Sequence, residues 1–317
     1  MIRLGVQSGN VVDVLGFDRG YAAIKNAGFT AVDWNLDHAV KYGDLMDGTY
    51  RGTSIMEKSI EEVIEYYSEE LSYIEKYGIE LYQAHAPFPS CVLPNLDSLE
   101  YMIGIINRNI EFCDYAKIQN LVVHVIQRDW GDTSVTPEYL EELNLKLCTS
   151  LIPTLLKCKN KVTVCLENSC AWRTMPNGMN EYAPDEFSYP EYSAYFIDKL
   201  NAIAGKEVFG HCYDTGHGHL VRKEPAENIG VIGDRLKVLH VHDNMGYTDD
   251  HFMPFAGNID WNEFCEALKN SNYDGVISFE TFRSTDRGYA FSEEMCLLLL
   301  ETIGKIGKAF LDRIYQK

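Results

Sequence analysis

The sequence lacks a CxxC pair, a GxGxxG or Walker-type phosphate loop, and any run approaching the ~20 apolar residues of a membrane helix. Each absence removes a class of protein. Nine cysteines at irregular spacings, Cys165 and Cys212 among them in apolar strand-like runs, read as reduced buried thiols. A disulfide framework and a thiolate zinc site are therefore not expected, and a cytoplasmic location is. Basic residues are also scarce: 28 Lys and Arg face 47 Asp and Glu, for a net charge of −19. Nucleic acids and anionic membranes bind through Lys and Arg, so neither is expected as the main partner. The opening segment Met1–Val6 runs straight into a strand-like stretch, without the basic-then-apolar pattern of a signal peptide.

What is present is alternation. Strand-like segments fall at Arg3–Gln7, Ala31–Trp34, Glu80–His85, Asn120–Val125, Val162–Glu167, Val208–Tyr213, Leu236–His242 and Gly275–Glu280. Several are continuously apolar, as parallel strands covered on both faces are. Helical periodicity fills the gaps: Asp18–Asn26, Glu57–Tyr77, Leu96–Ala116, Pro137–Lys157, Pro190–Ala204, Glu224–Asp234, Trp261–Asn270 and Ser292–Tyr315. Eight such pairs without a phosphate loop predict one (β/α)₈ barrel domain spanning residues 1–317. Residues 168–189 break the rhythm with Cys, Trp, Arg, Met, two Pro and three Asn. A long aperiodic loop after a barrel strand is expected to be a lid over the site.

Histidines and carboxylates recur where strands end: His85, His124, Glu167, Asp214 with His217, His240 and Glu280. A carboxylate in an apolar strand is costly unless it is paired, protonated or bound to a metal. In a barrel these ends converge, and mixed carboxylates and imidazoles suit Mn²⁺, Zn²⁺, Co²⁺ or Mg²⁺. His240 and His242 share a strand face, so alternation does not choose between them. His211 reads as structural, His219 and His242 as supporting or solvent-facing, and Asp33 and Asp37 as solvated.

The motifs His85-Ala86-Pro87-Phe88, Leu166-Glu167-Asn168, Asp214-Thr215-Gly216-His217, Leu239-His240-Val241-His242-Asp243-Asn244, Asp249-Asp250-His251, Gly257-Asn258-Ile259-Asp260-Trp261 and Phe279-Glu280-Thr281 follow in order. Together they resemble the xylose isomerase-like barrel superfamily over nearly the whole chain. The resemblance implies one divalent metal, Mn²⁺ first, held by Glu167, Asp214, His240 and Glu280, with Glu167 and Glu280 as the acid/base pair. It selects His240 over His242. The positions that nuclease members of the superfamily use for further zinc ions are also filled, by His85, His124, His217, Asp249 and His251, leaving room for two or three ions.

The expected activity is isomerisation or epimerisation of a sugar, sugar phosphate or cyclitol through a metal-stabilised enediolate. The alternative is phosphodiester hydrolysis by an endonuclease IV-like multi-zinc centre, which the acidic composition disfavours. A non-catalytic sugar-binding barrel ranks last, because all four core positions are present. Trp34, Phe88, Trp172 and Arg173 are expected at the substrate, His217 on one of its oxygens. Pairing of barrels into a homo-oligomer is left open.

Overall fold

The computed structural model describes residues 1–316. All eight expected strands form: β1 (Arg3–Gln7), β2 (Ala31–Asn35), β3 (Glu80–His85), β4 (Asn120–His124), β5 (Thr163–Glu167), and, after a hairpin of β6 (Ala171–Thr174) and β7 (Asn180–Ala183), β8 (Phe209–Asp214), β9 (Leu236–Val241) and β10 (Val276–Phe279). They close into a parallel barrel in the order β1-β10-β9-β8-β5-β4-β3-β2. Among the described residues, no helix is long and apolar enough to cross a membrane.

The helices cover the outside, and local chemistry sets their ends. Ile60–Tyr77 starts at a Ser59/Glu62 capping box and stops at Gly78 in left-handed backbone. Glu57, expected inside this helix, instead closes a capping box with Ser54 one turn earlier. The expected helix 137–157 divides into Pro137–Thr149 and Ile152–Leu155, because Pro153 has no N–H to continue the first and sits in the opening turn of the second. Helices Gly9–Leu15, Thr215–Leu220 and Phe282–Phe291 were not expected; each follows closely on a barrel strand end.

Strand alternation positions the site. Val122, Cys165, Cys212 and Val238 form a fully buried apolar cluster inside the barrel. The next inward residues, two positions on, are His124, Glu167, Asp214 and His240. The apolar layer is thus the floor of the mouth, and the polar residues stand directly on it. On the outer face of β10, Phe279 packs against Phe29 and Phe310, at ring distances of 6.1 and 6.2 Å.

Candidate metal centre

Barrel strands five to eight bring Glu167, Asp214, His240 and Glu280 together, with one donor atom from each lying within 4.8 Å of all the others. All four are buried. His240 is clamped between carboxylates, with Nδ1 2.9 Å from Glu167 Oε1 and Nε2 2.8 Å from Asp33 Oδ2. Gln83 Nε2 donates to the same Asp33 oxygen at 2.8 Å. A register shift at Val32/Asp33 sets Gln83 opposite Asp33, a local irregularity of the kind that re-aims side chains beside active sites.

A second tier surrounds this core. His124 Nε2 is 3.0 Å from Glu167 Oε2 and 3.2 Å from His85 Nε2. On the other side His242 Nε2 is 2.9 Å from Asp214 Oδ2, and its ring stacks on His251 at 4.0 Å. His251 Nε2 lies 3.1 Å, and His217 Nε2 3.5 Å, from Asp249 Oδ2. Two more groups have metal-ligand spacing: His85, Glu167 and His240, and His242, His251 and Glu280.

The residue types fit a divalent cation. Glu167 Oε2 and Asp249 Oδ1 are buried without a well-aligned hydrogen-bond donor. Buried carboxylate oxygens left this way, beside imidazole nitrogens, are the groups a hard or borderline cation satisfies. The two glutamates titrate in opposite directions. Burial pushes Glu167 up, but His124, His240 and His85 outweigh it and hold the carboxyl well below its ordinary value. Burial and the nearby Glu167 raise Glu280, against the opposing pull of His240 and His251. Burial lowers His124 to about 3, which leaves its imidazole neutral and able to coordinate.

The sequence motifs also supply positioning devices. Asn168 pins the Asp214 peptide, accepting from its N–H at 2.6 Å and donating to its carbonyl at 3.0 Å. Thr215 Oγ1 donates to the His242 carbonyl at 2.7 Å. A Cβ at Gly216 would overlap the His242 ring, so glycine is required there. Gly216→Ala is expected to cost about 1–3 kcal/mol through forced repacking, read as a lower urea midpoint. Asp243 is fully buried and accepts from Phe255 N–H (2.9 Å), Ile259 N–H (3.2 Å) and Trp261 Nε1–H (3.0 Å). It folds the loop that delivers Asp249 and His251. His251 itself has φ 47°, left-handed backbone that the surrounding bonds hold in place.

Several expectations need correction. Asp33 is not solvated but 1% exposed and bonded to His240. Asp37 lines the mouth. His242 is buried against Asp214 and does not face solvent. Trp34 does not reach the mouth: it points outward from β2, donates to Glu70 Oε1 at 2.9 Å and packs on Tyr67 and Phe112. The loop 168–189 is not aperiodic, since residues 171–183 form an antiparallel hairpin. Its alternation turns Trp172, Thr174, Asn180 and Tyr182 into the cavity. Arg173 faces the other way, its guanidinium 5.2 Å above the Trp130 ring, and does not line the site. The dipeptide Asn177-Gly178, with Gly178 at φ 79°, was the hairpin signal in the sequence. His85, His124, His217, Asp249, His251 and Phe88 all line the mouth. His219 supports it from behind, bonded to Asn258 and Glu224.

Fold and site define a (β/α)₈ barrel with a carboxylate–imidazole cluster at the C-terminal mouth of its strands. The chain belongs to the xylose isomerase-like TIM barrel family, whose sequence profile matches residues 21–299. It is 41% identical over 213 residues to the uncharacterized protein MJ1311 of Methanocaldococcus jannaschii, which is 65% of this chain and 66% of that protein. It is 31% identical over 103 residues to the L-ribulose 3-epimerase of Methylomonas sp. (strain DH-1), 32% of each chain. The chain therefore spans a third to just under two thirds of the length of these curated relatives. Solved structures of similar fold include an L-ribulose 3-epimerase (15% identity, 99% and 96% coverage, TM-score 0.68). A D-tagatose 3-epimerase-like protein (21%, 96% and 99%, 0.63) and the zinc-bound IOLI protein (13%, 100% and 100%, 0.69) share it too.

Proposed function

We propose that this chain is a metal-dependent isomerase or epimerase of an unphosphorylated sugar or cyclitol. The observation that carries the reading is the pair Glu167 and Glu280. They stand in one mouth on strands five and eight, with donor atoms within 4.8 Å of each other, so that a substrate carbon held there can exchange a proton with either carboxyl. The sugar-epimerase names of the structural neighbours agree with it.

Glu167, Asp214, His240 and Glu280 would hold the ion, which when bound supplies Lewis acidity toward adjacent carbonyl and hydroxyl oxygens of the substrate. Glu167, kept ionised by its imidazoles, takes the proton from the carbon next to the carbonyl. Glu280, more readily protonated, returns one from the opposite side. His217 is held by its ring contact to the Asn168 carbonyl (3.1 Å) and is placed to bind a substrate oxygen. The hairpin carrying Trp172 acts as the lid, and Phe88 supplies an apolar wall.

The cavity holds about 550 Å³ and is lined by Gln7, Gln127, Asn180 and Tyr182 beside the histidines and carboxylates of the mouth, with no Lys or Arg among its described lining residues. Such a lining suits hydroxyl groups. It offers a phosphate no Lys or Arg side chain.

Elemental analysis of protein purified without chelator is expected to find about one Mn, Co or Mg ion per chain. Two or three zinc ions would instead mean that the His85/His124 and His217/Asp249/His251 positions are ligands, and would favour the hydrolase. The reaction itself is tested by incubating ketoses and inososes in D₂O with the metal-loaded protein. Deuterium entering the carbon beside the carbonyl is expected, and its absence across the panel would refute the reading.

A further inference from the structure

A second cavity, of about 150 Å³, opens beside the main one. The two share a wall made of Tyr42, Met46, Phe88, Gln127 and Trp172. Beyond that wall the annex is lined by Pro89, Cys91, Val92, Leu93 and Val135. Its charged residues are partly engaged by neighbouring groups. Arg128 Nη1 donates to the Val135 carbonyl at 2.9 Å, and its Nη2 stands 3.7 Å from Glu186. Asp129 Oδ1 accepts from Gly131 N–H at 2.7 Å, and Asp132 Oδ1 from Ser134 N–H at 2.9 Å. Arg128 Nε is buried without a partner, and the larger part of the remaining surface is apolar. A cavity of about 150 Å³ with mostly apolar walls is the size that takes one benzene ring.

We infer that the annex is a subsite for a ring-sized apolar substituent, so that the substrate is a keto sugar or inosose bearing an aromatic or compact apolar group, with its carbonyl left free for the chemistry at Glu167 and Glu280. This rests on the reading of the mouth as a sugar site and specifies its substrate class. The sugar sits over Glu167 and Glu280, and the substituent passes between Phe88 and Trp172 into the annex. Trp172, on the hairpin, then borders both halves of the substrate, so closure of the hairpin senses the substituent as well as the sugar.

The test uses the metal-loaded full chain with phenyl β-D-glucopyranoside, methyl β-D-glucopyranoside and phenol as probes, followed by saturation-transfer NMR and calorimetry. The phenyl glycoside is expected to bind at least about tenfold more tightly than the methyl glycoside, from the apolar area of one ring. Saturation transfer should reach the phenyl protons of both aromatic probes. Val92→Phe, which fills the annex, and Val92→Asp, which makes it polar, should each reduce the preference below about threefold while metal content stays unchanged. Equal binding of the two glycosides, a preference that survives both variants, or no transfer to the phenyl protons of either probe overturns the subsite, whatever the sugar. The two ideas fail separately. Turnover of free ketoses without any aryl preference removes the annex and keeps the epimerase, while aryl binding without deuterium exchange does the reverse.

Discussion

Glu280→Gln is expected to reduce turnover by about 10²–10⁴-fold, the range for loss of a general acid or base. Gln keeps the volume and one oxygen of the side chain but can neither carry nor release the proton. The fold should be unaffected. Glu280 is 7% exposed and burial already disfavours its charge, so a neutral amide removes a strained ionisation rather than a stabilising one. Urea unfolding should show a midpoint equal to or above that of the parent, as active-site residues that trade stability for function do. The variant is checked by deuterium exchange into the ketose that the parent turns over. Exchange at the parent rate would remove Glu280 from the chemistry, and unfolding of the variant would show its role to be structural.

Asp33→Asn is expected to weaken metal binding by roughly 10–100-fold, the usual effect of losing the group that orients a metal-binding histidine. Asp33 Oδ2 faces His240 Nε2 at 2.8 Å and so keeps a proton on that nitrogen. Nδ1 is then the atom turned to Glu167, at 2.9 Å, and to Glu280, at 3.4 Å. In the absence of an ion burial opposes charge on His240, but Cys212, Glu280, Glu167 and Asp33 hold its pKa well above the ordinary value. The nitrogen that would coordinate must therefore lose a proton as metal binds, and Asp33 keeps the other one in place. An amide can present its NH₂ to His240 and stabilise the wrong tautomer. Competition with a fluorescent chelator measures the change, and an unaltered dissociation constant would show that Asp33 does not position His240.

Asp33 also marks where sequence reasoning stopped. The segment 31–35 reads Ala-Val-Asp-Trp-Asn, and either alternating set is chemically plausible as the inward one. Tryptophan beside a sugar site is a reasonable expectation, and a solvated aspartate another. Unbroken alternation puts Ala31 and Asp33 inside and Val32 and Trp34 against the helices, while the register shift on the β3 side brings Gln83 opposite Asp33; which set faces inward no local pattern announces. The same holds for Arg173. Its strand alternation follows only once the hairpin is known to pair, and pairing sends the arginine to Trp130 and the tryptophan to the cavity.

By itself the sequence determined the eight-fold alternation of strands and helices, and it determined that Glu167, Asp214, Glu280 and the strand carrying His240 and His242 end at one mouth. The reason is geometric: a parallel barrel has only one face at its strand ends, so polar residues ending apolar strands have one place to go. Which histidine of the pair 240 and 242 touches which carboxylate was settled by tertiary structure, as were Asp33 behind the site, Trp34 outside it, and the annex beyond Phe88 and Trp172. Those depend on register, on strand pairing and on surfaces brought together from β2, from the loop after β3, from the loop after β4 and from the β6–β7 hairpin, and a period of two along one strand carries no record of what stands opposite it.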